Sequence, residues 1–574
     1  MTPPALDQRP ICLYLFGVRG PSGTRGMATY NKNRSKVACT VCRARKTRCD
    51  GAKPKCSFCL ENGCVCKYEA PQGPTVETNI ETILTKISAI EKCLGIAVQS
   101  PPSIIVPEST REKDRSGLPS LTIKDDQFAA IIFHADFNLS THARSLELQR
   151  AMGYENSGSV AIFRHSPHEL VQLFFRHSYN WFPILNKREI FEKLPLMQST
   201  VRTGSSDSIL LLMVLAIGGL NANDSIGIFQ AEEFHSQALA MLGCVLEEVS
   251  LQSVQCLILL SMFYGLKIMP MKAQEYVSIG CIKMQNLIEI RPVNKSVDKS
   301  GDIIYDLEEY ETRAFWSLFI LESEYAGTLH FANTGLSSYA NNIKFPSLRE
   351  EPYHWPGSPE SDSSSIDEPD PHFLSEIGVR KIIDRTCYTF NNLESYTANR
   401  TSFAPIVAKE LQSQLDEWYH CLPDSIKFDK SKVPVTNTRH STRALIRAQY
   451  FATVMLMYWP CMMDIIVTGE CQTQEHREAF KIAIDSYIQL MLSATSVRLP
   501  EVPTTWPHAI SVFAMTATII RMTQRTTLAY DKPEELESSI QHAFAFLESI
   551  QSSPSIRYFT VILRDLYNSR TTPN

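Results

Sequence analysis

Seven of the sixteen cysteines in this 574-residue chain lie within residues 38–68. Six of them follow the spacing C-x2-C-x6-C-x6-C-x2-C-x6-C, so each half of the segment reads C-x2-C-x6-C. Two thiolates separated by two residues bind one metal ion from a single turn, and a third follows after a short helix. The spacing therefore predicts a thiolate metal site in two similar halves. Its candidate ligands are Cys39, Cys42, Cys49, Cys56, Cys59 and Cys66.

The number of thiolates restricts the kind of metal site. Two separate tetrahedral zinc sites would need eight cysteine ligands, whereas six serve two ions when two of the sulfurs bridge both metals. No histidine lies between residues 38 and 68, which excludes sites that combine cysteine with histidine. A ligand at the seventh thiol, Cys64, would shorten the last spacing from six residues to four, so we interpret Cys64 as a bystander.

Basic residues surround these cysteines in a chain that is otherwise acidic. Residues 27–68 contain ten Lys and Arg against Asp50 and Glu61, whereas the whole chain has a formal charge of −5. A local basic block in such a chain indicates a polyanionic partner. Four basic side chains lie between the second and third cysteines: Arg43, Arg45, Lys46 and Arg48.

Residues 38–68 resemble the fungal zinc binuclear cluster family (Zn2Cys6, the galactose-regulator type of DNA-binding domain). The resemblance includes the stretches CRARKTRCD and KPKCSFC. It implies a small fold of two short helices around two zinc ions, with Cys39 and Cys56 bridging both ions. The other ligands would complete the two sites in pairs, Cys42 with Cys49 and Cys59 with Cys66.

The same resemblance implies how the basic residues bind double-stranded DNA. In this family the stretch after the second cysteine is a short helix whose end enters the major groove, where Lys and Arg donate to guanine. Arg45 and Lys46 match the base-reading positions, and the expected half-site is a CGG triplet. Arg43 and Arg48 would hold phosphates, which orient the domain without reading sequence.

A linker and a short heptad pattern follow the cysteine segment. Residues 69–79 contain two prolines and a glycine and no apolar period, which predicts an extended linker. Residues 80–95 then predict a short coiled coil, and therefore a homodimer that binds paired half-sites through effective concentration. The alternative is a single amphipathic helix packed on its own domain. The heptad positions are Ile80, Ile83, Ile87, Ile90 and Leu94.

The remaining segments are interpreted from composition and periodicity. Residues 1–37 are assigned to an N-terminal extension with a basic arm, and residues 96–165 to a largely disordered connector. From Ser166 and Pro167, which match the start of a helix, apolar residues recur with a helical period and no run of alternating strands occurs. We therefore predict a large all-α regulatory domain over 166–355 and 373–566, divided by an acidic Ser/Pro loop at 356–372.

Parts of this helical region are similar to the fungal transcription-factor regulatory domain, the middle homology region. The similar stretches are FFRHSYNWFPILNKREIF, TRAFWSLFILES, LQSQLDEWYHCLP and MLMYWPCMM. Their aromatic, arginine and proline side chains are expected to pack the core rather than bind a ligand. These positions are Trp181, Phe182, Pro183, Arg313, Trp316, Trp418, Pro423, Trp459 and Pro460.

Motifs of other function classes are missing from the sequence. It has no GxGxxG, Walker A, HExxH or GxSxG motif, so we assign no catalytic residues and predict that the chain is not an enzyme. The longest apolar runs, 209–220 and 256–266, are shorter than a bilayer span and are predicted to be buried core helices, so no membrane partner is expected.

Three functions compete for these features. A zinc-stabilised protein adaptor would explain the cysteines alone, and an enzyme with an appended zinc module would leave the basic residues unexplained. We predict a nuclear, sequence-specific DNA-binding transcription factor of RNA polymerase II genes, which acts on CGG half-sites as a homodimer. Its partners would include the transcription machinery or coactivators, and its targets a metabolic or secondary-metabolite biosynthesis pathway.

Overall fold

The structure, a computed structural model, divides into two compact units, one within Arg19–Lys113 and one within Asp114–Asn574. The residues that it describes are 41–42, 45, 47, 49, 55–67, 128–134, 138–152, 165–196, 204–290, 295–297, 303–329, 333–347, 371–396, 400–432, 441–469, 473–494, 502–525 and 530–569. The predicted linker at 69–79 and the heptad segment at 80–95 lie outside the described residues.

The smaller unit is organised around cysteines. Its described residues include a helical turn at Val41 and Cys42 and one short helix, α1 (Ser57–Glu61). After α1 the chain turns at Gly63, whose φ of 62° is a left-handed conformation that favours glycine. At most 1% of the surface of Cys42, Cys56 and Cys59 is exposed, so buried thiols form the interior of this unit.

The larger unit is a bundle of helices with one small hairpin. Its first helices are α2 (Phe128–Phe133), α3 (Leu139–Met152), α4 (Pro167–His177), α5 (Lys187–Lys193), α6 (Ser206–Asn221), α7 (Ser225–Ala240), α8 (Leu242–Glu247), α9 (Leu251–Leu266), α10 (Pro270–Ile290) and α11 (Glu309–Leu329). Strands β1 (Lys295–Val297) and β2 (Ile303–Tyr305) pair antiparallel between α10 and α11. The later helices are α12 (His372–Tyr396), α13 (Arg400–His420), α14 (Ser441–Met457), α15 (Trp459–Thr468), α16 (Gln474–Ala494), α17 (Thr505–Arg525), α18 (Pro533–Glu548) and α19 (Pro554–Asn568).

Local sequence signals explain where several of these helices begin. The Ser166 hydroxyl accepts a hydrogen bond from the Glu169 N–H at 3.2 Å, and Pro167 occupies the first turn, as the sequence predicted. The Asp224 side chain caps α7 in the same way, and Ser250 forms a capping box at the start of α9. Each cap satisfies backbone N–H groups that have no partner within the helix.

A single apolar core extends from α2 to α19. The runs 209–220 and 256–266 lie in α6 and α9, which are buried along nearly their whole length, so their prediction as core helices is confirmed. The aromatic, arginine and proline positions of the similar stretches also pack this core. Arg313, Trp316, Trp418 and Trp459 are at most 1% exposed, whereas Trp181 and Pro423 are half-buried.

No single helix among the described residues has the length and apolar composition of a membrane span. Helices α14 and α15 have that length and composition only when they are taken together, and the pair is bent by 50° at its junction. Their apolar side chains belong to the common core.

The structure adds two details to the predicted organisation. The segment 96–165, predicted to be a largely disordered connector, contains α2 and α3, and α2 packs on the core: Phe128 stacks on Trp459, and Phe133 stacks on Phe513. The larger unit is also not purely α-helical. In the short hairpin of β1 and β2, Tyr305 pairs with Lys295, and the Tyr305 N–H donates to Asn342 O at 2.9 Å.

Close helix packing at Gly218 leads to a stability prediction. A Cβ atom added at Gly218 in α6 would lie 2.0 Å from the Leu170 carbonyl oxygen of α4. Because this neighbour is backbone, Gly218→Ala should force the helices apart and lower the free energy of unfolding by about 3 kcal/mol. Chemical denaturation of the full chain measures this change.

Gly243 provides the matched control. It is also helical, in α8, but a Cβ atom added there meets nothing within 4 Å. Gly243→Ala should therefore stabilise the fold by about 0.5–1 kcal/mol, the usual gain of Ala over Gly in an exposed helix. Equal effects of the two substitutions would contradict the close approach at Gly218.

Candidate metal centre

Three of the predicted ligands converge in the smaller unit. Cys42 is part of the helical turn, Cys56 precedes α1 in an extended conformation, and Cys59 lies within α1. The Leu60 N–H bonds to Cys56 O at 3.0 Å, which closes the turn that carries the Cys56–Cys59 pair. The sulfur atoms of all three residues lie within 4.8 Å of one another. The structure thus brings a thiol of the first half to a pair from the second half.

The distances fit zinc. Two sulfurs on one tetrahedral zinc ion, each about 2.3 Å from the metal, lie about 3.8 Å apart. The Cys42 and Cys56 sulfurs are 3.7 Å apart, and both are buried. A zinc ion held by such thiolates has a closed coordination shell and acts structurally, by coupling metal binding to folding.

The structure also places the two thiols that compete for the last ligand position. The Cys56 N–H donates to the Cys66 sulfur at 3.4 Å, which directs Cys66 toward a converging thiol. The Cys64 thiol instead donates to the carbonyl oxygen of Asn62 at 3.4 Å. This arrangement supports Cys66 over Cys64. Cys49 packs against the buried thiols, and Cys39 lies outside the described residues.

Sequence reasoning did not identify two side chains that cover the centre. Val41 and Phe58 are partly buried against the cysteine cluster. Each lies one residue before the second cysteine of its half, so the internal repeat carried a signal for both. They shield the thiols from water where the halves have no larger core.

Of the four basic residues between the second and third cysteines, the structure describes Arg45, which closes the helical turn at Val41. The Arg45 N–H bonds to Val41 O at 3.0 Å, and Arg45 is exposed. Lys55 is also exposed, directly before Cys56. Arg43, Lys46 and Arg48 lie outside the described residues. An exposed guanidinium such as that of Arg45 can form charge-assisted hydrogen bonds with a polyanion.

Within the part of the chain that the structure describes, no second group of His, Cys, Asp and Glu is close enough to hold a metal ion. The larger unit therefore contributes packing and surface rather than a described metal site.

Comparison with known proteins agrees with this geometry. The fungal Zn(2)-Cys(6) binuclear cluster domain matches residues 37–74, and a cluster of this kind binds two zinc ions. The fungal specific transcription factor domain matches residues 171–420, which run from α4 to the end of α13. Helices α14 to α19 lie beyond that match but share the same core.

Several fungal regulators are similar to the chain. A protein of Aspergillus rugulosus named as transcription factor ecdB is 26% identical over 561 residues, which cover 92% of this chain and 96% of that protein. The transcriptional activator protein acu-15 of Neurospora crassa is 22% identical over 509 residues, or 75% of this chain and 52% of that protein. Transcription factor FBD3 of Fusarium pseudograminearum is 46% identical over 50 residues, 9% of this chain and 7% of that protein. No solved structure matches the chain. With both domains present in one chain and relatives of this kind, the protein belongs to the fungal Zn2Cys6 transcription factors.

Proposed function

We propose that this protein regulates transcription of RNA polymerase II genes in the nucleus by reading CGG-type half-sites. The observation that carries the proposal is the position of Arg45, exposed on the turn that contains the buried ligand candidate Cys42. A zinc-held turn has few conformations, so its basic side chains reach the major groove without a further ordering cost.

The proposed coordination follows the family pattern. Cys39 and Cys56 bridge two zinc ions, Cys42 and Cys49 complete one site, and Cys59 and Cys66 complete the other. The close approach of Cys42 to Cys56 and the contact from Cys56 to Cys66 support this pattern. Cys64 takes no part.

Base reading and phosphate binding are assigned to different side chains. We expect Lys46→Ala to cost about 1–3 kcal/mol on DNA with a CGG triplet and little on unrelated DNA, because a lost guanine contact matters only where guanine is present. Arg43→Ala should weaken binding to both DNAs alike, since every sequence has phosphates. Titrations of the full chain on the two duplexes at one salt concentration measure both effects.

The controls use the same titrations. Equal losses on both duplexes in Lys46→Ala would show that Lys46 holds a phosphate and that base reading lies elsewhere. Binding by the wild type that depends neither on salt nor on sequence would favour the protein adaptor over the transcription factor.

We further propose that the protein binds as a homodimer through the heptad segment 80–95. A single cluster reads three base pairs, so tight and specific binding requires a second cluster. The proposed targets form a metabolic or secondary-metabolite pathway, and the acting partners are coactivators or the transcription machinery. A genome-wide occupancy map of the tagged protein tests the targets directly.

A further inference from the structure

The two halves of the cysteine segment share one backbone arrangement. In the first half the Thr47 N–H bonds to Cys42 O at 3.0 Å, and in the second half the Cys64 N–H bonds to Cys59 O at 2.9 Å. The second bond is displaced from the first by seventeen residues, which is also the offset between the matching cysteines of the two halves. A second matching pair of bonds joins Arg45 N to Val41 O at 3.0 Å and Asn62 N to Phe58 O at 3.1 Å.

The side chains on this repeated backbone differ sharply. The four basic residues Arg43, Arg45, Lys46 and Arg48 correspond to Leu60, Asn62, Gly63 and Val65 in the second half. Leu60 and Val65 are 68% and 71% exposed. The second half therefore presents apolar surface at the positions where the first half is expected to hold phosphates.

Two exposed apolar residues and two exposed charged residues belong to the same short turn-and-helix segment. The Cys64 N–H bonds to Cys59 O, and Val65 and Leu60 directly follow these two residues, so both apolar side chains are attached next to one backbone hydrogen bond. Lys55 before α1 and Glu61 at its end are both exposed, at opposite ends of a helix about 7.5 Å long. We call Lys55, Leu60, Glu61 and Val65 the second-half face.

This face is complementary to itself. A two-fold axis through its centre would place Lys55 of one copy against Glu61 of the other, with the apolar residues between them. A partner surface with charges of only one sign would face a residue of the same sign at one end of α1, either Lys55 or Glu61. The charge pattern thus favours a second copy of this chain as the occupant.

We propose that the second-half faces of two copies contact each other when the copies occupy neighbouring DNA half-sites; the inference rests on the proposed function. A face of this size is well below the roughly 1,000 Å² that a stable interface needs, so it does not hold a dimer in solution. On DNA the two copies are held at a high effective concentration, where a weak contact acts as cooperativity.

The proposed contact restricts the arrangement of half-sites. A two-fold contact between clusters requires half-sites related by a two-fold axis, and therefore inverted or everted CGG pairs rather than direct repeats. It also requires a spacing short enough for the clusters to touch. The heptad segment alone, joined to each cluster through the linker 69–79, limits the spacing only to the extended length of the two linkers, about 36 Å each.

The test measures dissociation constants of the full, zinc-loaded chain on duplexes with one CGG triplet and with two. The pairs are inverted, everted or direct, and their spacing varies. The cooperativity factor is the affinity for a pair relative to that for a single triplet. We expect Leu60→Ser/Val65→Ser to lower this factor about tenfold at the best symmetric spacing, with unchanged single-triplet binding and two zinc ions retained.

Charge exchange provides the matched control. Glu61→Lys places like charges opposite each other and should lower the cooperativity factor, whereas Lys55→Glu/Glu61→Lys restores the opposite pattern and should recover it. In Ile87→Lys, which disrupts the heptad segment, the preference for a short symmetric spacing should persist at reduced affinity.

Distinct results overturn the inference and the proposed function. If the wild type shows no preference for CGG on single triplets, the proposed function fails. If single-triplet binding is normal but Leu60→Ser/Val65→Ser leaves the cooperativity factor unchanged, the inference fails. It also fails if that variant loses zinc or weakens single and paired binding equally, since the face then supports its own chain or touches DNA.

Discussion

Replacing Cys56 by serine should empty both zinc sites, reducing zinc from two ions per chain to none. Cys56 is fully buried, and its sulfur lies with that of Cys42 from the first half and Cys59 from its own half. Zinc binding to such a site is worth about 10–16 kcal/mol and is coupled to folding, so a module without another core should unfold when the proposed bridging ligand is lost. Elemental analysis of the purified full chain measures the metal.

The same variant should lose specific DNA binding while its larger unit stays folded. Without the cluster, affinity for paired CGG sites should fall by about a thousandfold, to the level of unspecific binding. The larger unit has its own apolar core, so its helical circular dichroism should not change. The two readouts separate a local loss of the cluster from a general failure to fold.

Cys64→Ser is the matched control for Cys56→Ser. Cys64 packs against the cysteine cluster, but its thiol donates to the carbonyl oxygen of Asn62, so this variant should keep both ions. Loss of zinc from Cys64→Ser would move the sixth ligand from Cys66 to Cys64. A wild-type stoichiometry of one ion would contradict the binuclear centre itself.

The metal centre was predictable from sequence because metal coordination depends on residue type and spacing, which are local. Six cysteines at set intervals indicate their chemistry without knowledge of the rest of the fold. The surroundings of the centre depend on conformation. The contact that separates Cys66 from Cys64 is a hydrogen bond from the Cys56 backbone, and no sequence pattern records its direction.

The fold was predictable only where its signals are local. Caps such as Ser166 and the apolar runs of α6 and α9 mark helices by themselves. Helix α3 also has a local cap, since the Asn138 side chain accepts a hydrogen bond from the Thr141 N–H at 2.9 Å, but its buried Glu147 depends on a distant partner. The Glu147 carboxylate accepts hydrogen bonds from the N–H and hydroxyl of Ser555, at 3.1 and 2.6 Å, at the start of α19. When a charged residue is buried by a partner far along the chain, the local sequence does not show its burial and predicts an exposed connector instead.

A buried network of three charged side chains in α11 and α12 and one neutral side chain in α14 is the strongest case of such long-range dependence. Arg380 in α12 bonds through Nε to Glu376 Oε1 at 2.8 Å and through its terminal nitrogen to Glu324 of α11. Gln449 of α14 donates to the other Glu376 oxygen. All four side chains are buried. The network ties helices on both sides of the 356–372 segment into one fold.

The charges of this network depend on one another. Burial by itself would raise the pKa of Glu376, but the charge of Arg380 holds that pKa below its usual value. Burial likewise acts to lower the pKa of Arg380, and Glu324 with Glu376 raises it above its usual value. The depressed pKa of Glu376 contributes stability that is present above the usual glutamate pKa and is lost as the pH falls below it.

Arg380→Met should therefore lower the free energy of unfolding by about 3–5 kcal/mol at pH 7, because it leaves two buried carboxylates without their cation. Denaturant titration of the larger unit's transition, followed by helical circular dichroism, measures the loss. Arg385→Met is the matched control on the same helix. Arg385 is half-buried and donates to the neutral Gln414 side chain at 2.8 Å, so its loss should cost about 1 kcal/mol.

Two further measurements show whether Arg380→Met loses stability through uncompensated charge or through lost packing. In Arg380→Met the Glu376 carboxylate loses the cation that lowers its pKa, and burial then raises that pKa, so the deficit relative to wild type should shrink between pH 7 and pH 5 as Glu376 takes up a proton. Replacing all three charges, in Arg380→Met/Glu324→Leu/Glu376→Leu, should recover most of the stability, since an apolar group of similar volume has no charge to desolvate. A deficit that is equal at both pH values and persists in the triple variant would show that Arg380 stabilises the fold through packing alone. The network would then be a consequence of the helix arrangement rather than one of its causes.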